Sequence, residues 1–135
     1  MNCCSDFFFG AFFFFGADVS ALGLSGVGLG LSTAKAGIEK LKSLGHDDNA
    51  DVANLIGYSS RKLGRYDDSK LWYERALAAD PAHARTWSYY GMWHAEQGNL
   101  LKAREYLAKV ETLCGNTKCR AYTELKGVIE GTRTY

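Results

Sequence analysis

The sequence predicts an all-α protein in which paired helices stack into a short array. Three observations point there. Through residues 35–131 the apolar and small side chains recur at steps of three and four, the pitch of an α-helix. Glycines punctuate these runs at matching places. A shift of 34 residues sets Gly57 on Gly91, Gly64 on Gly98, Ser69 on Ala103, Trp72 on Tyr106, Tyr73 on Leu107 and Ala76 on Val110.

The elements follow in order. The stretch "STAKAGIEKLKSLGHDDNA" reads as a helix with Ala36 at a close-packing position and Leu41 and Leu44 turned inward. In "ADVANLIGYSSRKLGR" a second helix carries Val52, Leu55, Ile56 and Leu63 on one period and ends at Gly64, which suits a left-handed cap. One tight turn later, a helix over about 68–79 begins at Asp67 and Asp68, where negative charge is favoured, and stops before Pro81. Small Ser69 and Ala76 let the paired helices approach, and aromatic rings fill the gaps. "RTWSYYGMWHAEQGNLLKAREYLAKV" repeats the same order. A final helix in "KCRAYTELKGVIEG" places Cys119, Tyr122, Leu125 and Val128 or Ile129 on one face. A lone helix hairpin exposes half of its apolar surface, so such units require neighbours.

This pattern resembles the tetratricopeptide repeat family, whose 34-residue unit carries W-x2-L-G-x2-Y, A-x3-F and Pro. The first unit, about 50–83, matches at Ile56, Gly57, Ser69, Tyr73, Ala76 and Pro81; the second, 84–117, matches at Trp87, Tyr90, Gly91, Ala103, Leu107 and Val110. Ala53 stands where the family often has Trp, and Gly115 where Pro is expected. The resemblance implies a short right-handed solenoid of antiparallel helix hairpins, closed by a capping helix over about 118–130. The segment "STAKAGIEKLKSLG" looks like the second helix of a degenerate earlier unit. The ending "LCGNTKCRAYTEL" is similar to small bacterial tetratricopeptide proteins with two cysteines before the closing helix.

Composition separates the repeat region from what precedes it. Residues 1–34 contain no Lys or Arg, two Asp, six Gly and the run "FFFGAFFFFGA". That run, 7–17, is too short to span a bilayer and has the length of a signal-peptide core, with small residues at Val19-Ser20-Ala21. The missing basic segment argues against export. A membrane helix extended through Leu31 would bury Asp18, and a disordered or unrelated leader is the third reading. Export or a periplasmic location follows if residues 1–21 act as a signal, and a cytoplasmic one otherwise. The formal net charge of +1, from 16 basic and 15 acidic residues, gives no global field toward nucleic acid or anionic lipid. The repeat domain is therefore expected to engage neither nucleic acid nor membrane.

The same region offers no catalytic arrangement. His46, His83 and His94 lie in different elements, and no Ser or Cys has a base at a recognisable spacing. Asp47, Asp48, Asn49 and Asp51 lack the Gly and distal Glu of a calcium loop, and read as loop and N-cap residues. "GLSGVGLGLS" lacks the Lys of a phosphate loop. Cys114 and Cys119 flank "GNTK", whose Gly-Asn pair can fold the chain back and bring the sulfurs within bonding range: a structural staple in an oxidising compartment, a thiol pair otherwise, with a redox switch or metal site as the functional alternative. A metal there would need two more ligands, and no histidine is near in sequence. No metal or cofactor is expected.

What remains is a surface. In the family the first helices of the hairpins line a concave groove that takes extended or helical peptides. By the resemblance, the groove places fall on Asp51, Asn54, Tyr58, Arg61 and Lys62 in the first unit, and on Arg85, Ser88, Met92, Ala95 and Glu96 in the second. Asn54, Tyr58, Arg61, Arg85, Ser88 and Met92 are the expected partner contacts, suited to a peptide with acidic or amide groups. On a solvated face, changes at Tyr58 and Arg61 should leave stability untouched. The reading is a non-catalytic adaptor that binds a protein segment. The alternative is a structural subunit that self-associates or packs on a larger assembly, through faces near Trp93 and the capping helix.

Overall fold

The computed structural model describes residues 27–133, with side chains from residue 32 onward. The apolar run 7–17 and the Val19-Ser20-Ala21 site lie outside the described residues. The described residues form six helices: α1 (Val27–Ser43), α2 (Ala50–Lys62), α3 (Tyr66–Ala79), α4 (Ala84–Glu96), α5 (Leu100–Cys114) and α6 (Arg120–Ile129). There is no strand among the described residues.

Local chemistry sets the helix ends. The Asn49 side chain accepts from the amides of Asp51 and Val52 to start α2, and Asn99 accepts from Lys102 to start α5. Gly64 (φ 74°) and Gly98 (φ 78°) turn the chain in the left-handed region between the members of each hairpin, which costs a glycine nothing sterically. α3 starts at Tyr66, two residues before the expected start at 68 and directly before the Asp67–Asp68 pair, with no side-chain cap, so both acids sit in its first turn.

The helices pair as α2 with α3 and α4 with α5, while α2, α4 and α6 form one layer. The α2–α3 crossing explains the small residues. A Cβ on Gly57 would stand 2.8 Å from the Tyr73 ring, and the buried Ser69 hydroxyl donates to the Gly57 carbonyl at 2.7 Å. Ser69 is thus small and also internally satisfied, as a buried hydroxyl must be. In the second unit, Gly91 faces α6 instead: a Cβ there would meet the Leu125 methyls at 2.7 and 2.9 Å. The core is aromatic, with Tyr73 tilted on Tyr90 at 5.6 Å between the repeats and Tyr106 edge-on to Trp87 at 4.9 Å within the second.

Two expectations for the first helix need correction. It begins at Val27, within the segment assigned to the leader, and among its described side chains Ile38 is the buried one; Ala36 and Leu44 are exposed. Among the described residues α1 packs mainly on α2, with the stripe Ala34, Ile38, Leu41 on that side, and Lys42 lies 5.7 Å over the Trp72 ring of α3. Of the final helix, Cys119 and Leu125 are buried and Tyr122, Val128 and Ile129 half-buried, on the face toward α4 and α5.

Candidate protein-interaction face

The face built by α2 and α4 carries the expected contact residues, and most of them are closed in. Asn54 is 1% exposed and Arg61 3% exposed; Ser88 and Met92 have no exposed surface. Tyr58 and Arg85 are half-buried, and Lys62 is exposed. The physical cause is the crossing of the first helices. Arg61 Nη1 donates to the Tyr89 carbonyl at 3.0 Å, its Nε lies 3.7 Å from Glu96 Oε2, and its guanidinium lies over the Tyr58 and Tyr89 rings. Tyr58 and Tyr89 pack at 5.2 Å between centroids. Arg61 therefore joins α2 to α4, and the expectation that it could be changed without touching the interior is corrected.

The second pair of residues is covered by α6. Ser88 Oγ donates to the Ala121 carbonyl at 2.7 Å, and Met92 joins the core cluster with Leu125 and Cys119. Asn54 differs from all of these. Neither its Oδ1 nor its Nδ2 has a hydrogen-bond partner, a costly state for a buried amide.

Next to Arg61, the rim of this face is cationic and aromatic. Lys62 lies 5.8 Å over the Tyr58 ring. Its ammonium is held below the usual lysine range, by desolvation first and then by repulsion from Arg61, with Glu96 opposing. Burial raises the Tyr58 phenol, so the ring is neutral at ordinary pH. At the other end of the crossing, His83 bridges the repeats, with Nε2 3.0 Å from Asp51 Oδ1 and Nδ1 2.6 Å from Thr86 Oγ1. Thr86 is fully buried, so this chain of hydrogen bonds presents no reachable nucleophile.

Sequence reasoning missed Glu124. It is 7% exposed, receives Arg120 Nε at 2.7 Å and lies 3.7 Å from Arg133. The i,i+4 spacing of Arg120 and Glu124 was the available signal. Cys114 and Cys119 are joined as a disulfide, their Cα atoms 6.3 Å apart. Among the described residues, no group of three or more His, Cys, Asp and Glu side chains is placed to hold a metal ion, and no helix is long and apolar enough to cross a membrane.

Comparison with known proteins agrees with this architecture. The tetratricopeptide repeat profile matches residues 42–83. A 73-residue stretch, 51% of this chain, is 32% identical to the cell division cycle protein 16 homologs of Homo sapiens and Mus musculus, covering 12% of each. A 67-residue stretch, 47% of this chain, is 30% identical to the uncharacterized protein ycf37 of Guillardia theta, covering 38% of it. The matched region thus spans well under half the length of any of these relatives. Tetratricopeptide repeats are non-catalytic units that generally mediate protein–protein interaction. The profile match shows a tetratricopeptide repeat at 42–83, and the 34-residue register and packed helix hairpins agree with an array of such units.

Proposed function

We propose that the chain is a non-catalytic interaction module that takes an acidic protein segment along the rim of the α2–α4 face. The observation that carries this is the grouping of Lys62, Arg61 and the Tyr58 ring, with Lys62 exposed and its charge opposed mainly by its own desolvation and by Arg61. A carboxylate arriving there would relieve that repulsion, and Tyr58 supplies an apolar platform. Of the expected contacts, Tyr58 and Arg85 are the reachable ones. Asn54, Arg61, Ser88 and Met92 act from beneath, by fixing the helix spacing. The unpaired Asn54 amide is a further candidate contact for a peptide group, should the crossing open.

The test uses the full chain and fluorescent peptide pools that differ only in charge. Acidic pools should bind and basic ones should not, with affinity falling as salt rises. Lys62→Glu, an exposed position, should weaken acidic binding by tenfold or more while helicity and unfolding midpoint stay near the parent's. Binding without charge preference, or undiminished in the variant, would move the contact off this rim.

Self-association is the second reading, and exposed leucines favour it. Leu71 on α3 is 63% exposed and Leu101 on α5 is 74% exposed, both on the second helices of the hairpins. Sedimentation over a hundredfold concentration range separates the two: a tight dimer that Leu71→Lys with Leu101→Lys dissolves would favour assembly.

A further inference from the structure

The closing helix α6 is ten residues long, Arg120–Ile129, which is below the length at which an isolated helix is stable in water. Its helicity therefore depends on its seat. It is seated on α4 and α5 by Leu125 against the bare backbone of Gly91 and by Tyr122, Val128 and Ile129 packed on the core, and it is tied there by the Ala121 carbonyl on Ser88 Oγ and by the Cys114–Cys119 disulfide. The short tail after it, where the amides of Thr132 and Arg133 bond to the Gly127 carbonyl, is tied to α6 itself and moves with it.

The disulfide sits where it controls that seat. Cys114 is the last residue of α5, and Cys119 is the N-cap of α6, with no side-chain cap bond of its own. Between them Gly115 is left-handed (φ 66°), and Asn116 closes a local turn by donating to the Cys114 carbonyl and accepting from the Lys118 amide. Cys114 is half-buried beside an exposed loop, so an external thiol can approach it. What α6 covers is the part of α4 that carries Ser88, Gly91 and Met92, residues of the first-helix layer expected to meet a partner.

We propose that the Cys114–Cys119 disulfide is a redox latch: oxidised, it holds α6 on α4, and reduced, it lets α6 leave and opens the Ser88–Met92 stretch. The reductant is a dithiol. One of its thiolates attacks a protein sulfur, the S–S bond breaks, and a mixed disulfide forms; its second thiol then displaces the remaining protein thiolate. The products are two protein thiols and the reductant's disulfide. A closed loop this short restricts the opened state by an amount equal to roughly a 30-fold change in the opening equilibrium.

Hydrogen–deuterium exchange on the full chain, with and without dithiothreitol, tests this. Reduction should speed exchange at 120–129 by roughly 30-fold and leave α2 and α3 unchanged. An apolar dye, 1-anilinonaphthalene-8-sulfonate, should brighten in step as the α4 face opens. The double substitution Cys114→Ser, Cys119→Ser should show the same exchange pattern without reductant and respond no further to it. Unchanged protection of α6 on reduction overturns the proposal, as does loss of protection in every helix at once, since the bond would then hold the array as a whole. A response that persists in the double variant would come from Cys3 or Cys4 and also overturns it. Exchange without dye binding would show that α6 frays in place and that no face is opened.

Discussion

Gly57→Ala isolates the contact that makes two helices into a repeat. Inside a helix, alanine is favoured over glycine by about 1 kcal/mol. On an open face the exchange should therefore stabilise. At Gly57 the new methyl would stand 2.8 Å from Cδ1 and Cε1 of Tyr73 and 3.3 Å from the Ser69 carbonyl oxygen. The Tyr73 ring cannot swing aside, because it is fully buried and packed on Tyr90. Moving α3 away instead stretches the 2.7 Å bond from Ser69 to the Gly57 carbonyl. Overpacking of this kind costs about 1–3 kcal/mol, and weakening the hydrogen bond about 1 kcal/mol more. Set against the propensity gain, the net loss is about 1–3 kcal/mol, a fall of roughly 5–15 °C in melting temperature for a domain of this size. Gly37 in α1 provides the internal comparison, since a Cβ there meets nothing within 4 Å. Gly37→Ala should stabilise by up to about 1 kcal/mol. Urea unfolding of the full chain, followed by far-ultraviolet circular dichroism, reads both. If Gly57→Ala unfolds at the parent's midpoint or above while Gly37→Ala behaves as expected, the close approach at Gly57 does not set the α2–α3 spacing.

Ala76 is fully buried, and Ala76→Glu should cost several kcal/mol by forcing a carboxylate into the core; a variant with the parent's urea midpoint would place the crossing elsewhere. Arg61→Glu should cost about 3 kcal/mol, since it removes the donor to the Tyr89 carbonyl and sets a second carboxylate beside Glu96, and a small effect would mean that Arg61 is not a joint between the repeats. His94 is packed with Tyr90, Trp93 and Tyr106, and its pKa is lowered, by desolvation first and then by Lys102 and Lys70. The unfolded chain then binds a proton more readily than the folded one, so the stabilisation is full above the ordinary histidine value near 6.5 and is lost as pH falls through that value toward the lower folded one. His94→Phe should flatten this slope in unfolding experiments between pH 7.5 and 5; an unchanged slope would assign it to other groups.

The repeat was legible in the sequence because close contact is intolerant. Gly57, Ser69 and Ala76 leave no room for larger side chains, and the second unit keeps Gly91 and Ala103 in register, so a 34-residue shift exposes the rule. α1 was less legible for the converse reason. Packed mainly on α2 among the described residues, it has no second unit in register to say which small residue matters, and Ile38 rather than Ala36 turned out to be covered. For Glu124 the i,i+4 spacing from Arg120 signalled an ion pair, but its burial also depends on the returning tail at Arg133, which no local pattern shows.

The interaction face shows where a family register stops being informative. Position in a repeat tells which helix side a residue occupies, and Asn54, Arg61, Ser88 and Met92 do lie on the first-helix layer. It does not tell how much of that layer the next helix covers. That depends on individual partners: the Tyr89 carbonyl and ring draw Arg61 in, and Leu125 can press onto α4 only because Gly91 lacks a side chain. In a 34-residue register Leu125 follows Gly57 and Gly91, so the third first-helix fills the close-approach position that the other two leave empty. The residue that ends the pattern is therefore also the one that closes the face. With α6 in place, the part of this face left exposed or half-buried is the rim at Tyr58, Lys62 and Arg85, while Ser88 and Met92 of α4 lie beneath α6.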